Sequence, residues 1–300
     1  MAVAQRALAH LDAAGGRLLI RGESDYPERL NDLGDAPPVL FALGDPAIAA
    51  LPCVAIVGTR NATPYGVRIA RELAGAVVRA GGCVVSGMAR GIDAAAHRGA
   101  LECGGATIAV LGTGVDVPYP SAHRTLHAEI ARHGCVLSEY APGVRATPGS
   151  FPERNRIIAA LSAVVLVVEA PHKSGALITA TVAGSNELNR MVMAVPGPID
   201  VAACAGSNRL IRDEAIIATD VADVLQAARL TVPIRRSRAE GLPPDQRAVW
   251  ESLADGALDA DTLTAKSRLP ARTCLAAVTA LEIIGLVECE LTGAIRRRGT

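Results

Sequence analysis

From Cys53 onward, short apolar runs alternate with longer stretches of helical periodicity. Runs of strand length lie at 53–58, 82–86, 106–111, 135–138, 163–169, 190–195 and 215–218. Between them, helix-period segments fill 65–80, 92–103, 121–133, 152–161, 176–187, 207–213 and 220–228. The strand runs show no polar alternation, which predicts strands buried on both faces. Alternation of such strands with helices predicts a parallel sheet with helices on both sides. The expected fold is α/β, a doubly wound domain over about 53–230.

The flanks read differently. Residues 1–52 carry repeated turn signals (Gly15-Gly16, Pro27, Pro37-Pro38), and a single helix is expected near Arg6–Ala14. That segment is too short for an independent core. Residues 231–244 hold an Arg-rich stretch between proline breaks and read as a linker. Over 245–300 the pattern predicts helices at 246–254, 260–267 and 271–284, then a hairpin turning at Thr292-Gly293. Three helices and a hairpin in that order form a small winged-helix domain.

Composition narrows the class. No apolar run reaches the ~18 residues of a spanning helix, and no signal-peptide pattern opens the chain. A cytoplasmic protein without a membrane partner is expected. Thirty basic and thirty acidic residues cancel, which argues against a tail-driven nucleic-acid binder but not against a local basic cleft. The seven cysteines are widely spaced without a C-x-x-C pair, so reduced structural thiols are expected rather than zinc ligands. No metal site and no cofactor is expected.

In an open parallel sheet, ligands bind beyond the carboxyl ends of the strands. Here those positions are Gly58-Thr59-Arg60, Ser86 to Asp93, Gly112 to Asp116, Ser138-Glu139-Tyr140 and Glu169. A glycine after a strand is, taken singly, only a tight turn. Four glycine- and hydroxyl-bearing segments with Arg60 and Arg90 at one rim point to an anion site, because glycine admits backbone N–H groups close to a ligand. The first segment, VGTRNATPYG, lacks the G-x-G-x-x-G of dinucleotide folds, and no P-loop motif is present. Asp93 and His97 share a helix face as i and i+4. No nucleophile accompanies them, so the expected roles are a first-turn carboxylate and a locally hydrogen-bonded imidazole.

The stretch FPERNRIIAALSAVVLVVEA (151–170) places one of the chain's two phenylalanines and two arginines at a helix start. Pro152 suits the first turn. Cations there oppose the helix dipole, so local stability does not explain Arg154 and Arg156, whereas a bound anion does; the alternative is that the arginines bridge carboxylates of the chain. Phe151 is either a hydrophobic staple or a face on which a base stacks.

These runs occur together in a known order. VAIVGTR-x-x-T-x-YG (54–66), SGMARGIDAAAH (86–97), LGTGVDVPYP (111–120), LSEY (137–140), FPERNRIIAALS (151–162), VVEA-x-x-x-SGALITA (167–180) and AVPG (194–197) resemble the DNA-processing protein A (DprA/Smf) family, over about 25–230. The resemblance implies a Rossmann-like domain that binds single-stranded DNA, forms a homodimer, and loads RecA recombinase onto incoming DNA in natural transformation. It implies no catalytic residue. By motif, the DNA site is Gly58, Thr59 and Arg60; Ser86, Gly87, Arg90 and Gly91; Phe151, Arg154, Asn155 and Arg156; with Lys173, Ser174 and Gly175 beside them. Relatives commonly carry a helical domain ahead of this region, so 1–52 is expected as a short lead-in or a truncated form of it. The domain 245–300 resembles the family's winged-helix tail. Its third helix is poor in basic groups, so a protein-contact or accessory role is expected, with Arg296-Arg297-Arg298 either a phosphate contact or a solvated basic terminus.

A second reading is an enzyme, a nucleotide or nucleotide-sugar hydrolase on a related fold. Glu139, Glu169 or the Asp93/His97 pair would then do the chemistry. The P-G-G-x-G-T-x-x-E motif of such hydrolases is absent, since Pro196-Gly197 continues as Pro198-Ile199.

Overall fold

A computed structural model describes residues 2–231, 242–254, 256–290 and 293–297. The chain divides into two compact units, Met1–Val232 and Pro233–Thr300. The strands of the first unit are β1 (Arg17–Ile20), β2 (Val39–Gly44), β3 (Cys53–Val57), β4 (Cys83–Ser86), β5 (Thr107–Val110), β6 (Cys135–Ser138), β7 (Val164–Val167), β8 (Met191–Ala194) and β9 (Ile216–Ile217). Its helices are α1 (Ala2–Ala13), α2 (Pro64–Arg79), α3 (Ile92–Glu102), α4 (Arg124–His133), α5 (Ser150–Leu161), α6 (Gly175–Ala183), α7 (Ala205–Arg212) and α8 (Val221–Ala227).

The strands form one sheet in the order β1-β2-β6-β5-β4-β3-β7-β8-β9. From β6 to β9 every neighbouring pair is parallel. The uniform apolarity of the strands has its cause in the two cores. Cys53, Ala55 and Val57 of β3 pack with α5 and α6, while Val54 and Ile56 pack with α2, α3 and α8. Successive side chains point to opposite faces, so a strand covered on both sides has no solvent-facing position. The few polar residues of these strands, Ser86, Thr107 and Ser138, donate to backbone carbonyls. Cys53, Cys83 and Cys135 are fully buried among these apolar contacts, and all seven cysteines are free.

The segment before Cys53, expected as a lead-in, supplies two strands to this sheet. β2 pairs antiparallel with β6, and β1 pairs antiparallel with β2. Leu30, Leu33 and Leu40 join the core that β3 and α5 share. The segment has no core of its own and completes that of the following strands.

The chain winds outward from β3 through β4, β5 and β6, then returns past β3 to β7, β8 and β9. Winding direction therefore reverses between β3 and β7. A crevice opens at such a reversal, beyond the carboxyl ends of the strands.

In the second unit, α9 (Pro244–Ser252), α10 (Ala260–Ser267) and α11 (Ala271–Ile283) precede a hairpin of β10 (Val287–Cys289) and β11 (Ile295–Arg297). Val249, Trp250, Leu263, Val278, Leu281, Val287 and Ile295 form its core, which makes it a winged-helix domain. The expected phosphate contacts on β11 are engaged within the hairpin and helix. Arg297 donates from Nε to the Trp250 carbonyl at 2.9 Å and lies 4.4 Å from the Trp250 ring centroid. Arg296 pairs with Glu288 at 2.5 Å. Arg298, Thr292 and residues 232–241 of the expected linker lie outside the described residues. Among the described residues no helix is long and apolar enough to cross a membrane.

Candidate nucleic-acid interface

The rim is built from loops that approach one another closely. Gly91, at φ 78°, precedes α3, and a Cβ there would lie 2.3 Å from the Thr59 carbonyl oxygen. Only glycine allows both that backbone and that contact. The loop after β4 is thereby drawn against the loop after β3. Asp93, in the first turn of α3, fastens it further by accepting from the N–H groups of Gly87 (3.1 Å) and Ala89 (3.4 Å). Burial pushes the Asp93 carboxyl up, and the Arg154 charge together with these backbone bonds pulls it down.

Arg154 is the second fastener. It is 4% exposed, and its guanidinium donates to the carbonyls of Gly87 (2.9 Å) and Val110. A side chain at Gly87 would collide with that guanidinium, at 2.6 Å. Burial lowers Arg154 to about 10, against the opposing pull of Asp93. The residue expected as a phosphate grip thus crosses beneath the rim and holds strand ends together. Its edge still contributes to the walls of the cavities above.

Two cavities open at the reversal between β3 and β7. The larger, about 530 Å³, is lined by Gly58, Thr59 and Arg60, by Phe151, Arg154 and Asn155, and by Lys173, Ser174 and Gly175. The smaller, about 230 Å³, is lined by Arg60, Gly87, Arg90, Tyr119, Phe151 and Arg154. Arg60 and Phe151 stand in the wall common to both, and the guanidinium lies 5.5 Å from the ring centroid. Arg60, Arg90 and Lys173 are exposed and belong to no ion pair among the described residues. Three helix N-termini face this rim: α3 after Gly91, α5 after Gly149, and α6, where Ser174 caps the Ala176 N–H. Unpaired N–H groups and cations together make a site for anions. Asn155 ties α5 to the α6 start by donating to the Gly175 carbonyl at 3.2 Å.

Three residues expected at the site take other places. Ser86 is fully buried in β4 and donates to the Ile56 carbonyl at 2.7 Å. Gly91 lines neither cavity and acts through the close approach described above. Arg156 points away from both cavities and pairs with Glu139 at 2.6 Å and Asp35 at 3.0 Å. Its dipole-opposing position is compensated by carboxylates. Tyr119, conversely, belongs to the run LGTGVDVPYP and stands at the site without a local signal for it, because 31 residues separate it from Phe151, which it meets.

The candidate catalytic carboxylates all have structural partners. Glu169 is fully buried at the start of α2, where it accepts from the Thr63 N–H at 2.9 Å and from the Thr63 hydroxyl. Glu139 is held by Arg156. His97 is fully buried, with Nδ1 2.8 Å from the Thr107 hydroxyl oxygen. That hydroxyl donates to the Val84 carbonyl, so Nδ1–H donates to Thr107 and Nε2 has no partner.

Burial lowers His97 to about 3. An exposed imidazole titrates near ~6.5, so the unfolded chain binds a proton that the folded chain refuses. Stability from this group is complete at neutral pH and is lost as pH falls below ~6.5. Between pH 7 and pH 5 the expected loss is about 2 kcal/mol. In His97→Leu that portion of the pH dependence disappears, as urea midpoints at the two pH values will show. A variant whose midpoint falls as far as the parent's would assign the acid sensitivity to another group.

The sequence and fold have known relatives. The family model for DNA recombination-mediator protein A matches residues 17–229, and that for the DprA winged helix domain matches 234–297. The DNA processing protein DprA of Streptococcus pneumoniae is 43% identical over 204 residues, covering 67% of this chain and 70% of that protein. The X-ray structure of the S. pneumoniae protein superposes with a TM-score of 0.68 at 40% identity, over 73% of this chain and 77% of that one. A Helicobacter pylori DNA processing protein A structure, described for its single-stranded DNA binding mode, superposes at 0.64 with 30% identity, over 70% and 94%. Family models match both units in turn, relatives share 30% or more of the sequence over two thirds of the chain, and this chain belongs to the DNA recombination-mediator protein A family.

Proposed function

We propose that this protein binds single-stranded DNA at the two rim cavities without sequence preference, and acts as a recombination mediator that loads RecA recombinase in natural transformation. One observation carries the binding reading: Arg60, Arg90 and Lys173, free of ion pairs among the described residues, converge on cavities whose shared wall holds Phe151. Cations grip successive phosphates, and aromatic rings accept any base, which is how sequence-tolerant single-strand binders work. The single-stranded DNA binding of the H. pylori protein, which superposes over 70% of this chain, supports it.

A homodimer through the first unit is supported by β9, a sheet edge on which Ile216 and Ile217 stay 47% and 43% exposed. A role beside RecA on incoming DNA would put the protein in the cytoplasm. Hydrolysis gains no support from the carboxylates, since Asp93, Glu139 and Glu169 are committed to loop, ion-pair and cap contacts.

Titration with fluorescent single- and double-stranded oligonucleotides across salt tests this. The expected result is tight, salt-dependent binding of unpaired strands of any composition, with duplex bound more weakly. Equal affinity for both forms, or affinity indifferent to salt, would reject the assignment.

A further inference from the structure

We propose that the smaller cavity is a second nucleotide subsite in which Tyr119, not Phe151, is the face that stacks the base. This rests on the single-strand reading above and assigns a residue which that reading did not contain. Phe151 is only partly exposed and already has two neighbours, the Arg60 guanidinium at 5.5 Å and the Tyr119 ring at 5.1 Å, tilted by 38°. A ring flanked in this way offers little open face to the smaller cavity, though it also lines the larger one. Tyr119 is 44% exposed, and its hydroxyl makes no hydrogen bond among the described residues.

The loop that carries Tyr119 is firmly held. The Thr113 hydroxyl donates to the Val117 carbonyl at 2.7 Å, His127 Nε2 meets the Val115 carbonyl at 2.7 Å, and His123 Nδ1 meets the Met88 carbonyl at 3.0 Å. Such anchoring fixes a loop whose one large ring contributes little to the core. Exposed aromatics on fixed loops suit ligand contact better than stability. The cavity beneath the ring is bordered by Arg60 and Arg90, neither of which has a carboxylate partner among the described residues. A strand whose phosphate sits on Arg60, in the common wall, has one nucleoside on each side of that wall. The nucleoside on the Arg90 side meets Tyr119.

The test compares the parent with Tyr119→Ala, Tyr119→Phe and Arg60→Ala. Binding of a fluorescein-labelled (dT)20 is measured at two salt concentrations. Tyr119 is at the surface, so circular dichroism of the alanine variant should match the parent. Tyr119→Ala is expected to weaken binding about tenfold with an unchanged salt slope, since a stacked base carries no charge. Tyr119→Phe is expected to restore it. Irradiation of a 4-thiothymidine strand should cross-link the peptide containing Tyr119. If Tyr119→Ala binds within twofold of the parent while Arg60→Ala binds weakly, this subsite is wrong and the function stands. If Arg60→Ala also binds like the parent, both fall together.

Discussion

Replacing Arg154 by Met is expected to unfold much of the protein's stability margin rather than to trim its affinity for DNA. The guanidinium is buried, donates to the Gly87 and Val110 carbonyls, and offsets the buried Asp93 carboxylate. Methionine fills similar space but supplies no donor and no charge. Two carbonyls lose a charge-assisted partner, and Asp93 loses its compensating cation. The combined cost is about 4 kcal/mol, a large fraction of the ~5–15 kcal/mol that a domain possesses. Arg154→Lys keeps the charge without the planar fork and should recover only part of it. Urea unfolding followed by circular dichroism reads the effect. A methionine variant that melts like the parent yet no longer holds single strands would return Arg154 to the role of a phosphate grip.

The second large effect is expected on binding alone. Arg60 and Lys173 stand on the larger cavity, exposed and free of ion pairs among the described residues. Their removal disturbs no internal hydrogen bond. Each phosphate contact on a single strand contributes about 0.7 to the slope of log K against log salt. The double variant Arg60→Ala/Lys173→Ala should flatten that slope by about 1.4 and weaken binding about 25-fold at 0.1 M salt. Unfolding midpoints should stay near the parent's. Binding lost with the slope intact would mean that the two cations position a loop and do not meet phosphate. Arg154→Met and this double variant therefore separate along different axes, one in stability and the other in salt dependence.

Both predictions depend on a distinction between arginines that chain position does not reveal. Arg154 and Arg156 are two residues apart on α5, so at about 100° per residue they leave the helix on nearly opposite sides. One runs beneath the rim to strand carbonyls, and the other turns toward Glu139 and Asp35. Neither is freely exposed. A cation at a helix start needs an anion, and for Arg156 the anions are the protein's own side chains. Ser86 is a similar case. Its neighbour Gly87 is at the rim, whereas Ser86 is the last residue of a buried strand and bonds inside the sheet.

What the chain alone determined is the alternation of strands and helices, and with it the rim. A strand buried on both faces is predominantly apolar, so β3 to β7 were legible to within a residue or two. The apolar runs of β8 and β9 were legible as well, although Ile216 and Ile217 stay partly exposed at the sheet edge. Glycines had to stand where loops touch, so the rim segments were legible too. Tertiary structure alone decided which charges are free. Whether a guanidinium meets solvent depends on carbonyls and carboxylates brought to it from strands and loops distant in sequence, as Val110 is to Arg154 and Asp35 to Arg156. The same holds for β2, whose partner β6 lies about ninety residues on, and for Tyr119, which meets Phe151 only because the sheet sets the ends of β5 and β6 side by side. Pairing across such separations leaves no local pattern to read.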